Sequence, residues 1–189
     1  DTIRFAPGTY QIGPVIRVAT PDLTLLGHPD GTTLRGGGLD PGAGFDQFGG
    51  EEQATDRLGV LHLFEGGVTV RGLTFADSWW GLLLGWHYGF EDDEREPEKQ
   101  GGFLIEGNTF RSSQNGVRAS NSGSAATIVR GNRFVDVHYG VSALGNRIVI
   151  EDNAFVMRDA PRAQGYGAAI RIAAEHVASG CSDNRVTDN

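Results

Sequence analysis

One order of apolar and polar positions is written four times along this chain: an apolar residue, a charged residue, a turn residue, Asn or Leu, a variable residue, then Phe. The copies are Val70-Arg71-Gly72-Leu73-Thr74-Phe75, Ile105-Glu106-Gly107-Asn108-Thr109-Phe110, Val129-Arg130-Gly131-Asn132-Arg133-Phe134 and Ile150-Glu151-Asp152-Asn153-Ala154-Phe155. A truncated fifth copy is read at Cys181-Ser182-Asp183-Asn184-Arg185-Val186. A glycine follows each of the first three phenylalanines after six residues, at Gly81, Gly116 and Gly140. Behind Phe155 the matching glycine is read at Gly167, twelve residues on, which implies an insertion of six. Repeats of this kind identify a solenoid.

The period and the local alternation select the type. Gly107 to Gly131 is 24 residues and Gly131 to Asp152 is 21, while the steps from Gly72 (35) and to Asp183 (31) contain insertions. A 3.6-residue apolar rhythm is absent. Each unit reads instead as short alternating strands separated by turns. The pattern therefore predicts an all-β chain, a right-handed parallel β-helix of about six to seven coils, the hand following from the crossover rule. Equivalent residues would stack about 4.8 Å apart.

Stacking turns the repeats into columns. Val70, Ile105, Val129, Ile150 and Cys181 are expected to point inward as one column, and Phe75, Phe110, Phe134, Phe155 and Val186 as another. Asn108, Asn132, Asn153 and Asn184 share a turn position, where Asn tolerates left-handed backbone and its amide can bond the Asn above and below. Arg71, Glu106, Arg130 and Glu151 alternate in sign at an outward position, which sets opposite charges side by side and favours the register. Cys181 is the only cysteine and fits as a small core residue rather than as a disulfide partner or nucleophile.

Composition narrows the function. The 189 residues suit a single domain, 1–189, and 29 glycines suit its many turns. No run approaches the roughly 20 apolar residues of a membrane-spanning helix. A net charge of -8 argues against a nucleic-acid partner. Lys99 is the only lysine among 16 basic residues, so cationic chemistry rests on arginine. Neither a signal peptide nor a segment covering either end of the solenoid is visible. Because bare coil ends expose core and strand edges, the caps are expected to be missing here and supplied by further β-helix coils or capping segments outside this chain.

The opening Asp1-Thr2-Ile3-Arg4-Phe5-Ala6-Pro7-Gly8-Thr9-Tyr10, the runs Ile16-Arg17-Val18, Leu23-Thr24-Leu25-Leu26-Gly27 and Thr33-Leu34-Arg35-Gly36, and the Gly-Asn-x-Phe coils together resemble right-handed parallel β-helix proteins of the pectate-lyase-like superfamily. The resemblance covers nearly the whole chain and is specific for fold. Its members include polysaccharide lyases, uronate epimerases, glycoside hydrolases, phage tailspikes and proteins of no known activity, so function must be argued from the site.

Three insertions interrupt the columns, at 36–57, 86–102 and 157–164. The middle one holds Trp86, His87 and Tyr88, close behind Trp79 and Trp80. Aromatic faces stack on the apolar faces of sugar rings, so Trp80, Trp86, His87, Tyr88, Tyr166 and Arg171 are candidate substrate-binding residues. Core plugging or covering a coil is an equal alternative for the tryptophans. Tyr88-Gly89-Phe90-Glu91 loosely resembles the Tyr-Gly-Phe-Asp motif of mannuronan epimerases, but Asp92-Asp93 stand where that motif continues Pro-His. Glu91, Asp92 and Asp93 offer oxygens suited to Ca²⁺, although consecutive acids also form solvated loop faces.

In the second strand of each coil, Asn115-Gly116-Val117-Arg118-Ala119 and Tyr139-Gly140-Val141-Ser142-Ala143, alternation sends Arg118 and Ser142 outward. Ala169 and Arg171 are the expected outward residues of the following coil. Arg118 can neutralise a uronate carboxylate, while His138 and Tyr139 can move protons. These three are the candidate catalytic set, with a surface or turn histidine as the alternative for His138. The expected function is an extracellular or cell-surface carbohydrate-active domain acting on an acidic polysaccharide by lyase or epimerase chemistry. The rival expectation is a non-catalytic glycan-binding or structural module of a larger protein.

Overall fold

The structure is a computed structural model that describes residues 1–37, 59–85, 100–157, 167–173 and 181–189. All its regular elements are strands, numbered here in chain order. Three parallel sheets run the length of the molecule. The first stacks β1 (Thr2–Arg4), β4 (Thr24–Leu26), β7 (Thr69–Arg71), β10 (Leu104–Glu106), β13 (Thr127–Arg130), β16 (Ile148–Glu151) and β19 (Arg185–Thr187). The second stacks β2 (Gly8–Gln11), β5 (Thr32–Arg35), β8 (Thr74–Ala76), β11 (Thr109–Arg111), β14 (Arg133–Val137) and β17 (Ala154–Met157). The third stacks β3 (Ile16–Val18), β6 (Gly59–Leu63), β9 (Trp80–Leu84), β12 (Asn115–Ala119), β15 (Tyr139–Ala143) and β18 (Ala168–Ile172). Each coil visits the three sheets in turn, so the chain winds a right-handed parallel β-helix of six coils and the first strand of a seventh.

Between the sheets lies one continuous apolar column built by the inward residues. Leu25, Val70, Ile105, Val129 and Ile150 stack in register in the first sheet and are buried. In the second, the rings of Phe75, Phe110, Phe134 and Phe155 stack at centroid spacings of 5.0, 4.9 and 4.8 Å, tilted by no more than 10° from one another. That spacing is the strand separation itself, so the register of the sheet sets the ring contact. The glycine after each phenylalanine is required by the next ring. A Cβ on Gly81 would lie 2.8 Å from Phe110, one on Gly116 2.6 Å from Phe134, and one on Gly140 2.5 Å from Phe155.

At the turn between the first and second sheets runs the asparagine ladder. The Asn132 side chain accepts from the backbone N–H of Asn108 (2.9 Å) and from its Nδ2 (3.1 Å), and donates to Ile105 O (2.9 Å) and Asn153 Oδ1 (3.0 Å). Asn153 continues the pattern by donating to Asn189 Oδ1 at 2.9 Å. At the other end, the N–H of Leu73 donates to Asn108 Oδ1.

Two alignments from the sequence are corrected here. The fifth copy of the repeat is Val186-Thr187-Asp188-Asn189, not Cys181 to Val186. Val186 pairs with Ile150 in the first sheet, Asp188 takes the left-handed backbone of Asp152 (φ 54 and 55), and Asn189 is the rung below Asn153. Asn184 serves a different turn, where it accepts from Ile148 N and donates to Gly145 O. Cys181 is partly exposed in that turn, with the Asn184 amide 3.1 Å from its Sγ, and is not in the core column. In the third sheet, Tyr139 pairs with Ala168 and Val141 with Ile170, so the counterpart of Gly140 is Ala169, and Gly167 lies against His138 instead. Among the described residues no ring stacks beyond Phe155, so position 169 accommodates the methyl group that a ring excludes at Gly140.

The alternating charges stand in register as expected. Glu106 is bridged by Arg71 on one side and by Arg130 on the other, the latter at 2.9 Å. The insertions at 36–57, 86–102 and 157–164 lie almost wholly outside the described residues.

Candidate functional site

The outward face of the third sheet gathers the candidate side chains that the structure describes. One register row reads Arg17, His62, Leu83, Arg118, Ser142, Arg171 across six successive coils. The adjoining row reads Gly59, Trp80, Asn115, Tyr139, Ala168. Alternation explains the first row: Leu61 and Leu63, Leu82 and Leu84, and Val117 and Ala119 flank its members and belong to the main core. Trp79, Trp80 and Leu83 form a second apolar cluster, separate from that core.

Much of this face is covered. His62 is fully buried, with Nε2 2.9 Å from Gly85 O and its ring stacked on Phe64 at 3.8 Å. Trp80 is 3% exposed and Arg118 8% exposed. The Arg118 guanidinium lies over the Trp80 ring, 4.9 Å from its centroid, one coil away. A cation held against an aromatic face and shielded from water gains about 2 kcal/mol, enough to fix its rotamer. Ser142 is also buried. The row opens at both ends, at Arg17 and at Arg171, which are exposed.

His138 and Tyr139 lie two coils from Trp80. The His138 side chain is buried, and its ring meets that of Tyr139 edge-on at 4.6 Å. Its backbone bridges neighbouring coils, donating to Ser113 O and accepting from Ala168 N. It is thus a turn histidine at the corner between β14 and β15, packed between coils and not on the surface. Tyr139 is half-buried. The sheet register therefore brings Arg118, Ser142 and Arg171 into one row, with Tyr139 at the start of the Ser142 strand and His138 at the corner before it. Trp86, His87, Tyr88, Tyr166 and the acids Glu91, Asp92 and Asp93 lie outside the described residues. Among the described residues no group of three or more His, Cys, Asp or Glu side chains is placed to hold a metal ion, and no helix is long and apolar enough to cross a membrane.

The sequence reading missed His62. Its signal is the alternation in Gly59-Val60-Leu61-His62-Leu63, where His62 occupies the position that Arg118 fills two coils on. Leu83, between them, was missed for the same reason.

Comparison with known proteins adds no relative. No protein-family model, no curated protein and no solved structure matches the chain.

Proposed function

We propose that this chain is a carbohydrate-active β-helix domain of the pectate-lyase-like kind, acting on an acidic, uronate-bearing polysaccharide outside the cell or at its surface. The observation that carries this reading is the outward row of the third sheet. Arg118 and Arg171 stand two strands apart, roughly 9–10 Å, with Ser142 between them, Tyr139 in the adjoining row and His138 at the corner. An extended anionic chain laid along the row would meet a cation at alternate coils.

The chemistry these groups can supply is proton transfer next to a neutralised carboxylate. A guanidinium on the uronate carboxylate stabilises the charge that develops when the C5 proton leaves. A phenol or imidazole can take that proton or protonate the leaving oxygen. Breaking the C4–O bond with protonation of its oxygen leaves a C4–C5 double bond, the lyase outcome. Returning a proton to the opposite face of C5 gives the epimer.

A second reading draws on the burial of Arg118. Its guanidinium already rests on Trp80, which favours a packing role within a non-catalytic glycan-binding or structural module. One experiment separates the two. Pectate, alginate and glycosaminoglycans are incubated with the protein, and ultraviolet absorbance of the unsaturated product and the C5 configuration by NMR are followed. The enzyme reading expects one of these signals on at least one polymer, lost in Arg118→Ala. No change on any polymer, with the fold intact by circular dichroism, leaves the binding module.

A further inference from the structure

A second polar cleft lies on a different face of the solenoid. It has a volume of about 250 Å³ and is lined by Thr9, Thr33, Arg35, Asp77, Arg111 and Ser112. The strand register builds it. Thr9 pairs with Thr33, which pairs with Thr74, and that row supplies a hydroxyl floor on the second sheet. In the next outward row Ala76 separates Arg35 from Arg111, so two long cationic side chains rise on either side of a methyl group. Asp77 and Ser112 follow at the turn, both in left-handed backbone (φ 51 and 50).

The charges in the cleft are unequally used. Arg35 Nε donates to Asp77 Oδ2 at 2.7 Å, and Ser112 Oγ donates to Asp136 Oδ2 at 3.1 Å. Arg111 is exposed, and among the described residues its guanidinium has no partner. Two arginines against one aspartate give the lining a net charge of +1, on a chain whose net charge is -8. Beyond the lining, Arg133, exposed in the register row of Thr33, Thr74 and Thr109, and Asp136, which accepts from Ser112, add one charge of each sign. A guanidinium fork with spare donors beside hydroxyls matches a carboxylate carried on a polyol. The volume falls below the range of drug-sized pockets and suits a single sugar ring.

We propose that this cleft is a binding subsite for one carboxylate-bearing saccharide residue, with Arg111 holding the carboxylate and Thr9 and Thr33 facing the hydroxyls. It is separate from the third-sheet row and does not rest on that row being catalytic. In a polysaccharide-acting protein it would tether the polymer away from the reacting face.

Calorimetric titration with trigalacturonate tests it, on wild type, Arg111→Ala, Arg111→Lys and Arg118→Ala. The methyl-esterified trisaccharide and inorganic phosphate serve as comparison ligands. The expected result is saturable binding that survives Arg118→Ala, weakens at least about tenfold in Arg111→Ala, falls less in Arg111→Lys, and is absent with the ester. Arg111 is exposed, so matched melting curves are expected for both of its variants. If Arg111→Ala melts early, Arg111→Lys decides: affinity equal to wild type counts against the bidentate hold. Several results overturn the proposal: binding unchanged in Arg111→Ala, binding lost only in Arg118→Ala, no binding at millimolar trigalacturonate, or phosphate bound as tightly as the saccharide. The third of these leaves the third-sheet reading to its own activity assay.

Discussion

Replacing Asn132 with Ala removes four hydrogen bonds at once, and the structure shows what each loss leaves behind. The backbone N–H of Asn108 loses its acceptor Asn132 Oδ1 inside a buried turn. The Asn108 amide keeps its bond to Val70 O, and Asn153 Oδ1 keeps the Asn132 backbone N–H, so those two groups are only partly stripped. Ile105 O loses the Asn132 amide. One wholly orphaned buried donor costs about 1–3 kcal/mol and each of the three further lost bonds about 1 kcal/mol, which gives roughly 5 kcal/mol in total. Urea unfolding followed by circular dichroism measures this, and the midpoint should fall with the slope m unchanged. Asn184→Ala is the internal comparison. Asn184 is only partly buried and lies outside the ladder, so its cost should be nearer 1 kcal/mol. An Asn132→Ala shift within about 0.5 kcal/mol of wild type, or a larger cost at Asn184, would refute the assignment of ladder rungs.

Phe134 is sandwiched between Phe110 and Phe155, so Phe134→Ala should cost about 3–5 kcal/mol in the same melts. Gly116→Ala should cost about 1–3 kcal/mol, because its methyl would sit 2.6 Å from Phe134 and 2.7 Å from Gly140 O. Glu106→Gln should change stability by less than about 1 kcal/mol, since its partners Arg71 and Arg130 are themselves well exposed. Calcium tests the acids at 91–93: a site there would raise the melting temperature with millimolar Ca²⁺ and lower it with chelator, and an unmoved melt assigns them to a solvated face.

The fold was legible because each column repeats one physical requirement. A stacked phenylalanine, a ladder amide and a glycine beneath a ring recur at fixed distances along the chain, whatever lies between them. The reading slipped where two segments satisfy the same local pattern. Cys181-Ser182-Asp183-Asn184 and Val186-Thr187-Asp188-Asn189 both offer a turn ending in Asp-Asn, and both aspartates adopt left-handed backbone (φ 58 and 54). Only the pairing of Val186 with Ile150 separates them. Gly167 misled similarly, because the counterpart of Gly140 is Ala169, where among the described residues no ring stacks to demand a glycine. For the candidate site, alternation sufficed to send Arg118 and Ser142 outward. It could not show that outward here means covered, with Arg118 against Trp80, because burial of an outer face depends on side chains from other coils.

The central functional claim is that the outward face of the third sheet engages an acidic glycan. Tryptophan fluorescence reports on that face, because Trp79 and Trp80 cluster with Leu83 of its outward row, and among the described residues no tryptophan lines the cleft on the second sheet. Titrating oligogalacturonate into the protein should produce a saturable change in emission as the ligand competes for the Arg118 guanidinium over Trp80. The change should disappear in Arg118→Ala and persist in Arg111→Ala. Emission that stays constant for wild type up to millimolar ligand, or that responds equally in Arg118→Ala, would contradict the claim.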